Sequence, residues 1–470
     1  MLRCYLASRL HYKPFGGTRT ARRGKDGNEL MKEQDREPQW AAFTAIDWAD
    51  QKHFWRLVPA GSDRQEHGEL ENTPEAVEVW AMGLHDRFGG RAIAVCLEQS
   101  RGSLVCLLAK YPHLVLFPVH PKTAADYRET FCPSGAKSDS GDTASLLDLL
   151  LRHRQQLRQL QPDSVETRLL QILVETRRCI VNEKTRQKNR LTACLKLYFP
   201  QVLKWFDEVD SPLVGALLQR WGTLMELQRA HPGTLSRFFH EHNCRGEERL
   251  RERITAIQQA MPATEDPAMV EGGSRKARVL VAVIETLRNS IGEYDRRIAE
   301  LVASHPEGSL FGSLPGAGPA LVPRLIVAFG TRRERFEAAS EMQNLSGISP
   351  VTEASGKTKL VHMRWACPQF LRQTFHEFAA HSLAQSAWAK AYYDLQRHNH
   401  KDHHAAVRSL AYKWIRIIYR CWKNRQPYDE QLHLRSLQHR NSPVIGAFVP
   451  TTAGEWKLVS GFQKFSRNNS

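Results

Sequence analysis

Two carboxylates three residues apart, Asp139 and Asp142, precede a leucine-rich stretch of the chain. In a helix this spacing puts both side chains on one face. Paired carboxylates bind hard divalent cations such as Mg²⁺ or Mn²⁺, because these cations prefer oxygen ligands and keep coordination positions for phosphate and water. Asp and Ser before an apolar run are also ordinary helix-capping residues, so the pair alone does not establish a metal site.

Two further acids, Asp47 and Glu98, each end an apolar segment with the character of a strand. A carboxylate at such a position is costly unless it is paired or binds a metal ion. Asp47 as a turn residue and Glu98 as a partner of Arg101 are the simpler alternatives. With Asp139 and Asp142, the two acids predict a cluster of four carboxylates.

The elements around these acids predict an α/β sheet with an antiparallel edge. Two strands joined by a tight polar turn are followed by a helix capped by Thr73, and then buried strands alternate with helices. Carboxylates at the ends of such strands face a ligand crevice. The arrangement resembles the RNase H-like fold of junction resolvases. The predicted strands are Ala41–Asp47, His53–Val58, Arg91–Leu97 and His113–Val119, and the predicted helices are Thr73–Phe88, Leu104–Tyr111 and Lys122–Thr130.

The rest of the chain has a helical pattern. Leucines from Leu146 to Leu160 extend the helix that Asp142 begins, and apolar residues from Leu280 to Leu301 repeat over three heptads. The second repeat is typical of a coiled coil that joins subunits, although a bundle within one chain gives the same pattern. We expect a basic, disordered leader (1–40), an RNase H-like domain (41–145), a coiled-coil region (146–304), a mostly helical C-terminal domain (305–430) and a tail (431–470).

The composition points to an anionic partner. The chain has 470 residues, a formal net charge of +16 and a pI near 9.5. Nucleic acid is the partner that this charge favours, since no apolar run approaches the length of a membrane span. Nine scattered cysteines fit a reducing cytoplasm better than a disulfide framework or a zinc ribbon.

Several segments are candidates for contacts with nucleic acid. Like charges lie one helical turn apart in the run from Lys184 to Arg190, which is favourable beside phosphate, although a solvated helix face gives the same pattern. The glycine-rich run from Leu314 to Pro319 resembles the hairpin of a helix-hairpin-helix module, whose N–H groups hold phosphate. A basic helix from Arg408 to Arg425 is expected to bury Leu410, Trp414, Ile417, Ile418 and Cys421. The candidate nucleic-acid-binding residues are Arg186, Arg190, Gly316, Gly318, Lys357 and Lys359.

Ser355 lies in a basic loop beside a glycine, where a hydroxyl is exposed. A serine nucleophile needs a group that ionises it, and the sequence shows no His-Asp pair nearby. A cluster of metal-bound carboxylates could serve instead.

These motifs together resemble the DEDD transposases of insertion-sequence family 110, over residues 41–429. The resemblance implies an RNase H-like domain, a coiled-coil middle region and a C-terminal transposase domain with a catalytic serine. It also implies DNA recombination through phosphoserine intermediates, guided by a structured bridge RNA that the element encodes. It assigns the metal-binding tetrad to Asp47, Glu98, Asp139 and Asp142, with Mg²⁺ or Mn²⁺ as cofactor, and the nucleophile to Ser355. The motifs are Lys137-Ser-Asp-Ser-Gly-Asp142, Leu314-Pro-Gly-Ala-Gly, Gly347-Ile-Ser-Pro350, Ala354-Ser-Gly-Lys357, His403-His-Ala-Ala-Val-Arg and Pro427-Tyr-Asp429.

The sequence departs from the family pattern in residues 1–40, in the long middle region, and at Ser138 and Thr143 beside the two aspartates. We expect a homo-oligomer, a dimer or tetramer, that acts on the element ends and target DNA at the bacterial nucleoid. Two alternatives stay open: a metal-dependent nuclease or junction resolvase that uses water as nucleophile, and a non-enzymatic coiled-coil protein that binds nucleic acid.

Overall fold

The computed structural model describes residues 39–131, 139–356, 358–450 and 456–458. The chain forms two compact units, each built from two stretches of sequence. The first unit comprises Met1–Pro162 and Ala338–Phe375, and the second comprises Asp163–Glu337 and His376–Ser470.

The first unit contains a five-stranded sheet with the strand order β3-β2-β1-β4-β5. Strands β1, β4 and β5 run parallel, and β2 and β3 extend the sheet as an antiparallel edge. The apolar β4 is buried along its whole length, as a central parallel strand should be. The predicted antiparallel edge is therefore confirmed. The strands are β1 (Ala42–Asp47), β2 (Lys52–Pro59), β3 (Glu66–Glu71), β4 (Ile93–Leu97) and β5 (Leu114–Pro118).

Helices cover both faces of this sheet and make two separate cores. On one face, helices α1 and α2 pack over Ile46, Val95 and Leu97. On the other face, α4 places its leucines over Ala45 and Cys96. Thr73 caps α1, as the sequence predicts, by accepting a hydrogen bond from the backbone N–H of Ala76 at 3.2 Å. The helices are α1 (Pro74–Phe88), α2 (Ser103–Leu108), α3 (Pro121–Phe131) and α4 (Asp139–His153).

The second stretch of the first unit carries a two-stranded hairpin. Helix α14 (Ala339–Leu345) leads into strands β6 (Val351–Ser355) and β7 (Thr358–His362). An ion pair between Arg158 and Glu341, at 3.1 Å, joins this stretch to the N-terminal one. Helix α15 (Gln369–Ser382) follows the hairpin.

The second unit is built on two long antiparallel helices, α5 (Val165–Tyr198) and α11 (Pro267–Ser304). Arg177 near the start of α5 pairs with Asp295 near the end of α11, which gives the direction of the pair. Small helices between them close an apolar core around Phe199, Leu217 and Phe239. These are α6 (Val202–Trp205), α7 (Pro212–Arg220), α8 (Leu224–Gln228), α9 (Pro232–Glu241) and α10 (Glu247–Gln259).

The remaining helices of the second unit pack around α17. Trp388, Trp414 and Trp422 are fully buried there, and Trp414 donates to the hydroxyl of Ser382 at 2.8 Å. The elements are α12 (Gly308–Gly312), α13 (Val322–Phe329), α16 (Ala387–His398), α17 (His403–Asn424), α18 (Glu430–His439), β8 (Phe448–Pro450) and β9 (Trp456–Leu458). In the described part of the chain, no helix combines the length and the apolar character needed to cross a membrane.

Three details differ from the sequence-based expectation. Helix α4 ends at His153 rather than at Leu160, because the chain passes through a 3₁₀ turn and the N–H of Leu160 then donates to the carbonyl of Leu116 at the sheet edge. Leu280 and Ile284 of the heptad repeat are buried within the chain, in the same core as Leu191 of α5. The inward face of α17 is also rotated: Ile415 and Trp422 are fully buried, whereas Ile417 and Cys421 are half-buried.

Candidate active site

Asp47 and Glu98 lie at the same edge of neighbouring parallel strands. Ile46 of β1 pairs with Leu97 of β4, so the two acids occupy the next position in register. Side chains alternate along a strand, and Ala45 and Cys96, two residues before the acids, face α4. Asp47 and Glu98 therefore lie side by side on the face that α4 covers, and both are half-buried.

Asp142 approaches the same place from α4. Its side chain is 6% exposed. A small pocket, partly open to solvent, is lined by Glu98 and Asp142 together with Tyr127, Arg128 and Ser145. Two of the four predicted carboxylates thus share one pocket, and the strand register brings Asp47 beside Glu98.

Arg128 is a member of this site that sequence reasoning missed. Its guanidinium, from α3, forms an ion pair with the buried carboxylate of Asp142. The pKa of Arg128 is raised mainly by this hydrogen bond and by the charge of Asp142, with a smaller contribution from Glu98. Nothing in the sequence links two residues that are fourteen positions apart on different helices.

A second arginine holds the first turn of α4. Arg56 of β2 donates to the hydroxyl of Ser140 at 2.9 Å and to its carbonyl at 3.3 Å. Ser140 lies between Asp139 and Asp142, so Arg56 fixes the turn that carries both aspartates. Asp139 is the first residue of α4, and the position of its carboxylate lies outside the described side chains.

The donor chemistry of the cluster fits a divalent cation in part. Asp47, Glu98 and Asp142 offer carboxylate oxygens, which suit Mg²⁺ and Mn²⁺. Among the residues that the structure describes, however, no three acidic, histidine or cysteine side chains converge closely enough to hold a metal ion. Arg128 instead supplies a positive charge to Asp142.

Ser355 is the last residue of β6, at the tip of the exposed β6–β7 hairpin. It is exposed and pairs across the turn with Thr358. In the described contacts, no hydrogen bond joins it to a carboxylate. Ser355 and the acidic cluster nevertheless belong to the same compact unit.

The hairpin contains a histidine and glutamate pair that the sequence did not reveal. His362 of β7 donates through Nε2 to Glu353 at 3.0 Å. The strand register puts Glu353, Ser355 and His362 on one face. Glu353 raises the pKa of His362 through this hydrogen bond, so the imidazolium form is favoured at low pH and the ion pair is lost as pH rises through the raised pKa. This histidine–glutamate pair can be identified only when the pairing of β6 with β7 is known.

The glycine-rich turn before α13 uses three of its N–H groups within the protein: Ala317 donates to the carbonyl of Leu314 at 3.1 Å, Gly318 donates to the carbonyl of Gly316 at 3.0 Å, and Gly316 donates to a side chain. Gly316 has a φ of +83°, and a Cβ there would lie 2.8 Å from the backbone of His381 and Ser382. Its N–H donates to Gln385 at 2.8 Å, so a phosphate at this position would have to displace Gln385. Gly318 has open space around it.

The other residues predicted to contact nucleic acid differ in whether they already have partners within the protein. Lys184 and Lys188 both pair with Asp210, at 3.1 and 2.6 Å, so an internal acid offsets the repulsion within this run. Arg186 pairs with Glu183 at 3.2 Å, and Arg190 donates to Gln187 at 3.4 Å. Lys359 is exposed on β7, and Lys357 lies outside the described residues.

Comparison with known proteins identifies the family. Residues 44–200 match the family model for DEDD transposases of the IS110 type, and residues 308–394 match the model described as "Transposase IS116/IS110/IS902 family". The first range contains the strands and helices that carry the acids, and the second contains the hairpin with Ser355.

Curated relatives match along most of the chain. The mini-circle putative transposase for IS117 of Streptomyces coelicolor is 25% identical over 402 residues, which cover 84% of this chain and 97% of the relative. The IS110 uncharacterized 43.6 kDa protein of the same organism is 25% identical over 411 residues, covering 83% and 96%. The IS900 uncharacterized 42 kDa protein of Mycobacterium paratuberculosis is 25% identical, covering 81% and 89%. With both family models matched in order, the chain belongs to the IS110 family of transposases.

Proposed function

We propose that this transposase cuts and re-joins the DNA strands of an insertion sequence through a phosphoserine intermediate. The observation that carries the proposal is that Glu98 and Asp142 line one pocket and that Asp47 lies beside Glu98 in the strand register, within the unit that also contains Ser355. In this proposal the five-stranded sheet is the core of an RNase H-like domain, as the resemblance to the family implies. Asp47, Glu98, Asp139 and Asp142 would hold the metal ions, as the resemblance to the family implies.

Ser355 is the nucleophile in this reaction. Its Oγ attacks a phosphodiester phosphorus, the serine loses its proton, and the bond from phosphorus to one DNA oxygen breaks as that oxygen takes a proton. A new phosphoserine bond replaces the broken one, so the energy of the phosphodiester is conserved. Attack by a different DNA hydroxyl reverses the step and releases the serine. Exposure of Ser355 at a hairpin tip supports this role, because a DNA strand can reach it.

The acidic cluster would hold Mg²⁺ or Mn²⁺, which would neutralise charge on the phosphate and favour ionisation of the nucleophile. Asp47 and Glu98 supply oxygen ligands from rigid strand ends. Asp142 would supply one from α4, whose first turn is held by Arg56, after its carboxylate exchanges Arg128 for the cation. We also propose that a dimer or tetramer carries out this recombination in the cytoplasm. A bridge RNA would direct it to its DNA sites. The net charge of +16 supports nucleic-acid partners in general.

The decisive experiment is Ser355→Ala. Removing one exposed hydroxyl should leave the fold intact. It should eliminate the covalent protein–DNA species on a denaturing gel and all strand exchange, while binding to DNA stays near the wild-type level. Residual hydrolysis by water would still be compatible with an intact metal site.

Thr352→Val is a matched control, because it removes an exposed hydroxyl from the opposite face of the same strand and keeps a β-branched side chain. It should retain the covalent species. Recombination at the normal rate by Ser355→Ala would show that Ser355 is not the nucleophile. Ser349 would be the next candidate, since Ser346 is fully buried. Metal-dependent cleavage by the wild-type protein without any covalent species would favour the nuclease alternative.

A further inference from the structure

A row of cations lies on the exposed side of α17. Lys413, Arg416 and Arg420 are exposed and follow one another at helical spacing, and Arg440, just after α18, is also exposed. We call these four residues the α17 cationic face. The opposite side of the helix is held in the core by Trp414, Ile418 and Trp422, so the row has a rigid support.

The α17 cationic face is not balanced by acids in the described part of the chain. No ion pair with a carboxylate involves any of its four members there, whereas Lys184 and Lys188 of α5 both pair with Asp210. Lys413 lies over the ring of Tyr392 at 5.8 Å, which is its nearest favourable electrostatic contact among the described rings.

Nearby positive charges help to lower the pKa values of two titratable groups. The pKa of Lys413 is lowered by burial and then by Arg416 and Arg440. The pKa of His433, on α18, is lowered to about 4, first by burial and then by Arg440, Arg420 and Lys413. Lys413, Arg416 and Arg420 lie within about two turns of one helix, and an external anion would relieve their repulsion.

The exposure of the aromatic residues on α17 bears on which kind of nucleic acid this face can bind. Proteins that bind single strands stack bases on exposed aromatic rings. On α17, Trp414 and Trp422 are fully buried, and Tyr419 donates its hydroxyl to the carbonyl of Phe336 at 3.3 Å. The two tryptophans of α17 are therefore closed to bases, and the charge of the four cations is what the face offers a nucleic acid. From residue 413 to residue 420 the row spans roughly 10 Å, which is about three phosphates along one strand of a duplex.

We propose that the α17 cationic face binds the phosphate backbone of duplex DNA without reading its sequence. Duplex DNA is the partner because the chain belongs to a transposase family. The proposal rests on the family assignment and is independent of the phosphoserine chemistry. Ser355→Ala should therefore still bind duplex DNA through this face. The two proposals can thus be tested independently.

The test measures the salt dependence of binding by fluorescence anisotropy with the full chain. The probes are a blunt duplex of mixed sequence, an oligo-dT single strand and an RNA hairpin. The variant combines Lys413→Gln, Arg416→Gln and Arg420→Gln. We expect its affinity for the duplex to fall about tenfold to a hundredfold near 0.1 M salt, and the slope of log K against log salt to become shallower by about 2 to 3. Binding of oligo-dT should change little.

The control combines Arg249→Gln, Arg251→Gln and Arg297→Gln, which remove the same charge from exposed sites on α10 and α11. It should leave the slope near that of the wild type. Circular dichroism checks that both variants fold, and an NMR titration should show the pKa of His433 rising in the first variant alone. An unchanged slope, an equal effect of both variants, or a loss confined to the RNA hairpin would overturn the proposal.

Discussion

Arg128 gives Asp142 a positive partner inside the protein. Asp142 is 6% exposed, and a carboxylate at such a site is costly without a counter-charge. The guanidinium and a divalent cation would offer Asp142 the same compensation, so the two compete for the same oxygens. This residue would therefore connect the stability of the first unit with the binding of the proposed metal ion at Asp142.

We predict that Arg128→Gln lowers stability and strengthens the response to metal. Removing one partner of a pair whose acid is buried should cost about 1–3 kcal/mol in a chelating buffer, measured by denaturant unfolding. Added Mn²⁺ should then raise the melting temperature more in the variant than in the wild type, because binding to the folded state adds stability. The measurement is a thermal shift without DNA.

Arg152→Gln is the control for this prediction, because it removes an exposed arginine that pairs with Asp148 on the same helix. This variant should change neither the stability nor the response to Mn²⁺ by much. An equal Mn²⁺ response in wild type and Arg128→Gln would show that Arg128 does not compete with a cation at Asp142.

At the scale of the elements, Gly347 joins α14 to the hairpin that carries Ser355. Its φ is +69°, and a Cβ there would lie 2.3 Å from the sulfur of Cys367. The left-handed turn therefore brings the beginning of the hairpin segment against the residues that follow β7. Cys367 is itself held by the guanidinium of Arg372 at 2.7 Å.

We predict that Gly347→Ala destabilises the first unit by about 2–4 kcal/mol, because it adds a steric clash to the cost of a left-handed alanine. Gly61→Ala is matched to it: Gly61 has a φ of +77° but nothing within 4 Å, so only about 1–2 kcal/mol is expected. Urea unfolding measures both. Equal losses in the two variants would show that the contact with Cys367 contributes nothing.

Elements with a strong apolar pattern could be predicted from sequence, and polar ones could not. Strands β4 and β5 are continuous apolar runs, whereas β3 buries only Leu70 and has the polar composition of an edge strand. Strands β6 and β7 are mostly exposed, so their sequence lacks the apolar pattern of a hairpin and predicts a loop. Helix α18 was missed for a similar reason, since Leu434 is its only fully buried residue in the described helix.

The candidate site was predictable in its acids but not in its basic partners. Asp47 and Glu98 follow apolar runs, and this position is visible in the sequence. Arg56 and Arg128 reach α4 from a different strand and a different helix. Contacts of that kind depend on strand register and helix packing, which one sequence does not encode as a local pattern.

At the scale of the whole molecule, the long helices α5 and α11 form the core of the second unit. Ile284 is 2% exposed, in a cluster with Leu191 and Leu217 of the same chain. The heptad repeat that suggested a seam between subunits therefore serves, at this position, a bundle within one chain. Val279, on the same helix, is 64% exposed.

We predict that Ile284→Asp unfolds the helical unit rather than producing soluble monomers. A buried carboxylate without a partner should cost about 3 kcal/mol or more, which is a large part of the stability of a typical domain. Val279→Asp introduces the same charge on the exposed side of α11 and should keep the circular dichroism and unfolding midpoint of the wild type. Light scattering on both variants reports the oligomeric state. If Ile284→Asp stayed fully helical and only halved the mass, the repeat would join two subunits, and the packing of α11 against α5 would have to be exchanged between chains.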